Sequence, residues 1–99
     1  MTILASFNPR YGSGVTVAPG VVSAESPLPA GEKSVCLTNL DTVTCYVRIG
    51  APGIAATTAD YPVPPSAQVV ITKAQDQSAI AYITGAGVAS LHIMTGEGF

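Results

Sequence analysis

The chain has 99 residues, a formal net charge of −2, and only 10% charged residues against 47% hydrophobic ones. That length makes a single domain able to bury a core without disulfide or metal staples. The four basic residues, Arg10, Lys33, Arg48 and Lys73, are scattered, so no basic patch marks a nucleic-acid binder, and no apolar run approaches the roughly 18 residues of a membrane-spanning helix.

Residues 1–14 (MTILASFNPRYGSG) are too irregular for a core strand and read as an N-terminal arm. They lack the basic start and long apolar run of a secretory signal, which gives the expectation of a cytosolic chain with reduced thiols. Residues 15–99 read as one domain. Strand-like segments recur at 14–18, 21–24, 33–38, 43–49, 68–73, 79–84 and 88–94. Between them stand breakers: Pro19-Gly20, 27–31 (PLPAG), Ala51-Pro52-Gly53, 62–65 (PVPP) and Gly85-Ala86-Gly87. Only 57–61 (TTADY) offers a single helical turn, and no longer segment has a helical period. The pattern predicts an all-β fold, a small antiparallel β-sandwich of six to eight strands, jelly-roll or Greek-key-like.

Alternation assigns the faces. Val35, Leu37, Val43, Cys45, Val47, Ile49, Val69, Ile71, Leu91 and Ile93 are the expected core. Ser34, Cys36, Thr38, Thr44, Tyr46, Arg48, Gln68, Thr72, Ser90 and His92 alternate with them and are expected mostly at the surface. In 79–84 the pair Ile80 and Tyr82 competes with Ala81 and Ile83, and the pattern alone does not choose.

Both cysteines lie in 35–50 (VCLTNLDTVTCYVRIG), which reads as a β-hairpin. A two-residue turn at Leu40-Asp41 would set Cys36 opposite Cys45 on one face, yet it would send Val35 and Leu37 away from Val43 and Val47. A three-residue turn restores a common apolar face, and burying branched side chains together contributes about 1.5–3 kcal/mol each. The sulfurs then point to opposite faces. Two free thiols are expected, Cys45 in the core and Cys36 nearer the surface.

Other chemistry is sparse. A zinc site needs several ligands at defined spacing, and the single histidine, His92, is far from either cysteine. His92 reads as a structural residue on a strand. The carboxylates Glu25, Glu32, Asp41, Asp60, Asp76 and Glu97 fall mostly in turns, where they satisfy backbone donors. Gly85-Ala86-Gly87 leads into a strand, whereas a phosphate loop leads into a helix, so it reads as a hairpin turn. No nucleophile motif is present, and the expectation is a non-enzymatic protein with no cofactor and no metal.

From Lys33 onward the order of the segments is distinctive: VCLTN at 35–39, YVRIG at 46–50, ATTADYPVP at 56–64, AQVVI at 67–71, IAYITGAG at 80–87 and GEGF at 96–99. In these pieces and their order the chain resembles a family of small tailed-bacteriophage virion structural proteins. That resemblance implies a particle component assembled in the host cytoplasm. The leading expectation is a capsid decoration or cement protein, homo-oligomeric, bound in many copies to the major capsid protein or another virion protein on the head exterior. The alternatives are a tail or head-to-tail connector component and, from another class, a carbohydrate-binding module. No direct contact with nucleic acid or membrane is expected. The low charge suits burial against other chains. Phe7, Arg10 and Tyr11 around Pro9, and Phe99 after Gly96-Glu97-Gly98, are the candidate interface residues. Tethered aromatics can anchor an arm on an adjacent subunit or the shell protein; the alternative is that both ends fold back on their own sandwich.

Overall fold

Most of the segments expected to be extended are extended, but, apart from the pairing of Cys45–Gly50 with Tyr61–Val63, they pair with strands distant in sequence rather than with their neighbours. The computed structural model describes residues 8–29, 31–74 and 76–97. Its strands are β1 (Asn8–Pro9), β2 (Val15–Val17), β3 (Ala24–Pro27), β4 (Ser34–Asn39), β5 (Cys45–Gly50), β6 (Tyr61–Val63), β7 (Gln68–Thr72), β8 (Ala79–Thr84) and β9 (Leu91–Glu97). They form two antiparallel sheets. One has the order β1-β9-β4-β7 with β2 also on β9, and the other has the order β3-β8-β5-β6. Because β1 and β2 share one flank of β9, there are eight strand positions, and the orders 2-9-4-7 and 3-8-5-6 are those of a jelly roll.

The register shows how the roll is made. Val15 opposes Ile93, Ala24 opposes Tyr82, Ser34 opposes Thr72, and Cys45 opposes Val63. This is the pairing of one long hairpin with its tip at Ala51-Pro52-Gly53, rolled up so that successive rungs lie in alternate sheets. Gly53 occupies that tip with φ +98°, a conformation that L side chains rarely adopt. Its N–H is held by the Glu25 carboxylate at 3.0 Å.

Two expected hairpins are therefore arches. β4 and β5 lie in different sheets, and so do β8 and β9. The common apolar face that the hairpin was meant to provide is achieved instead by stacking. Val35 and Leu37 of one sheet and Cys45 and Val47 of the other belong to one buried cluster. A short turn serves equally to reverse a strand within a sheet and to step across the ~10 Å between two sheets. Burial of both apolar faces selects the step. The expected strand at 21–24 begins only at Ala24, and the expected breaker at 62–65 contains part of β6, where Pro62 sits on a sheet edge that tolerates a missing donor.

The core follows the alternation. Val35, Leu37, Cys45, Val47, Leu91 and Ile93 are buried, while Val43, Ile49, Val69 and Ile71 pack half-buried against them. β8 contributes both Ile80 and Tyr82, whose hydroxyl meets Ser26 Oγ, and Val63 and Leu28 complete the cluster. Cys36 corrects an expectation. It lies on the outer face of its sheet but is buried, because the side chains level with it on either side are Val70 of β7 and Met94 of β9. Ser34 is likewise fully buried.

Candidate interaction surface

Among the described residues, no group of three or more His, Cys, Asp or Glu side chains converges as a metal site would require. Both cysteines are free. Burial pushes both thiols above their ordinary pKa, and the Asp41 charge adds to the effect at Cys45. His92 meets Thr16 Oγ1 through Nδ1 at 3.1 Å. A cleft of about 400 Å³ opens at the side of the sandwich between edge strands β2 and β3. It is lined by Ser13, Val15, Ser26, Pro27, Leu28 and Pro29, with no ionisable side chain.

Of the interface residues expected from sequence, Arg10 and Tyr11 fall within the described residues. Phe7 and Phe99 lie outside the described residues. The arm from Asn8 onward runs along β9, with Asn8 opposite Glu97 and Arg10 N–H donating to Thr95 O at 2.8 Å. Arg10 pairs with Glu32 of its own chain at 2.9 Å, whereas Tyr11 is 85% exposed. Segment 8–14 is thus docked on its own sandwich.

The feature that the sequence reading missed is the polarity of the molecule. Four connections, 18–23, 40–44, 64–67 and 85–90, meet at one end of the roll. Backbone bonds tie three of them together: Ala89 N–H to Pro19 O (2.9 Å), Thr84 N–H to Gly20 O (2.8 Å) and Leu40 N–H to Ser90 O (2.7 Å). This end exposes Val21 (59%), Val22 (78%), Leu40 (59%) and Val88 (61%). Asp41 is the only ionisable residue in the four connections. The other charges gather toward the opposite end, where Arg10 bonds Glu32, Arg48 forks onto Asp60 at 2.8 and 3.0 Å, and Glu25 caps Gly53. The Arg48 guanidinium, helped by the Thr57 N–H, holds Asp60 below the usual carboxylate range.

Asn39 supports the apolar end from beneath. It is 1% exposed, and its amide donates to Val43 O (2.7 Å) and Val63 O (3.0 Å) while Oδ1 accepts from Asp41 N–H (3.0 Å). One side chain thereby fixes the 40–44 arch to both sheets. The signal for this end was available in part, since Val21, Val22, Leu40 and Val88 all flank turn residues, where an apolar side chain has no neighbouring strand to cover it. No family model, curated protein or solved structure matches the chain.

Proposed function

We propose that this chain is a non-enzymatic phage virion structural protein, a decoration or cement protein that attaches in many copies to the capsid exterior through its apolar end. The observation that supports this reading is the segregation of charge. One end presents Val21, Val22, Leu40 and Val88 on loops tied to one another, with Asp41 as the lone charge, while the ion pairs occupy the other end. Contiguous exposed apolar surface marks a docking site, and a rigidly held one binds with little ordering cost. With no cation among its loops, the end has nothing to attract phosphate or an anionic membrane surface. Jelly rolls occur in viral shell proteins, but that analogy carries no functional weight of its own.

The test is particle composition combined with a surface variant. Quantitative mass spectrometry of purified particles is expected to find the chain on the order of hundreds of copies, as icosahedral repetition of one site requires. A single ring of copies would instead place it in the tail or connector. The double variant Val22→Ser, Val88→Ser is expected to fold normally and to bind heads at least about tenfold more weakly, since each valine removed from an interface costs about 1.5 kcal/mol. Full occupancy by the variant would refute attachment through this end.

A further inference from the structure

The lateral edges of the two sheets are not alike. β1 carries Pro9, β3 carries Glu25 and Pro27, β6 carries Pro62, and β2 is only 3 residues long. Proline, charge and shortness are the devices by which sheet edges avoid pairing with other chains. β7 has none of them. Its residues, Gln68, Val69, Val70, Ile71 and Thr72, include no charge, proline or glycine. Lys73, which follows, does not guard the edge, because it is buried and its ammonium turns back to Ala74 O at 3.3 Å.

The register identifies the open groups. Asn39 N–H donates to Ala67 O and Lys73 N–H to Lys33 O, with Ser34 opposite Thr72 between them. Odd-numbered residues of β7 therefore bond β4, and Gln68, Val70 and Thr72 point their N–H and C=O groups away from the sheet. Those groups have no partner among the described residues. Beside them, Val69 and Ile71 of the core face are only half-buried, and Val70 is 36% exposed.

We infer that β7 is a homodimerisation edge, pairing antiparallel with β7 of a second copy about a two-fold axis at Val70. A second copy is the occupant because the strand is complementary to itself. Read in either direction it is polar, three branched aliphatics, polar. The dyad sets Val70 against Val70 of the second copy, Val69 against Ile71, and Gln68 against Thr72. Every outward N–H then meets an outward C=O, no like charges oppose each other, and the half-buried Val69 and Ile71 gain cover. The other flank of the same sheet ends in the short β2 and the proline-bearing β1, so pairing closes at two copies and does not propagate.

This inference does not depend on attachment to a particle and is tested on the isolated full chain. Sedimentation equilibrium is expected to give twice the 10.0 kDa of one chain. Amide hydrogen exchange is expected to show Gln68, Val70 and Thr72 protected, with that protection lost on dilution. Val70→Lys places two like charges side by side across the dyad and is expected to weaken the dimer at least about tenfold with an unchanged circular dichroism spectrum. Val70→Pro removes an outward N–H without touching the bonds to β4, and is expected to do the same. A single-chain mass at all concentrations, a dimer that survives Val70→Lys, or a dimer in which those amides exchange freely would each overturn the assignment. The exchange measurement on the unmodified chain decides the matter if either variant fails to fold.

Discussion

Replacing Asn39 with alanine is expected to be among the most damaging single changes in this chain, although the side chain is small and touches no surface. The substitution removes two donated bonds, to Val43 O and Val63 O, and one accepted bond from Asp41 N–H. The Val63 bond is buried, and Val63 O keeps the Cys45 N–H of the β5–β6 ladder, so losing the amide costs the net worth of one bond, about 0.5–1.5 kcal/mol. The other two lie nearer solvent, where each net bond contributes about 0.5–1 kcal/mol. The sum is roughly 2.5 kcal/mol, which in a domain of this size lowers Tm by roughly 10–20 °C. Urea unfolding of the two proteins side by side measures it. Asn39→Asp sharpens the test, because the isosteric carboxylate keeps the acceptor for Asp41 N–H but faces two carbonyls without a proton to give. Its pKa in the folded protein is raised by that environment, so the variant gains stability as pH falls and loses it as pH rises through the folded value. A loss below about 1 kcal/mol for Asn39→Ala, or an Asn39→Asp protein as stable as the parent at neutral pH, would show that this amide does not join the two sheets.

Two further outcomes follow from the outer face of the β9 sheet and from the thiols. Gly14→Ala would place a Cβ 2.8 Å from His92 Nε2 and 3.0 Å from Met94 Cε; it is expected to cost about 1–3 kcal/mol, and His92→Ala should relieve most of that in a double-mutant cycle. Equal cost in both backgrounds would place the strain elsewhere. Both cysteines are expected to alkylate fully after unfolding without reductant and to react slowly in the folded protein, because burial raises each thiol above its ordinary pKa. Their contribution to stability is complete below the ordinary thiol pKa and is lost as pH rises through the raised folded values. Thiols blocked in the unfolded chain would mean a disulfide.

The sequence disclosed what is local. Alternation at Val35, Leu37, Cys45, Val47, Leu91 and Ile93 located both the strands and their inner faces, because a side-chain period of two is a property of the single strand. Pairing is not local. Residues 40–44 and 85–90 carry turn chemistry compatible with a hairpin or an arch, and the choice belongs to surfaces contributed from far along the chain. The same limit hid the burial of Cys36, which depends on Val70 and Met94 from two other strands. It also hid the apolar end, since the loops that carry Val21, Val22, Leu40 and Val88 come to one end only when the roll closes. Asn39 closed the VCLTN segment at 35–39, and nothing in its neighbours announces that its amide reaches Val63.

The rolled hairpin also dictates an order of assembly in time. β5 and β6 need close only residues 51–60 to meet, whereas β2 must wait for β9 from the other end of the roll. Closing longer loops before any contact rewards them is slow, so pairing is expected to start at the tip and run outward through β4 with β7 and β3 with β8. β9, made last of the nine strands, is flanked by β2 and β4. Until β9 pairs, one sheet lacks its middle and the other has nothing complete to stack on, so the domain is expected to consolidate from the tip of the rolled hairpin outward.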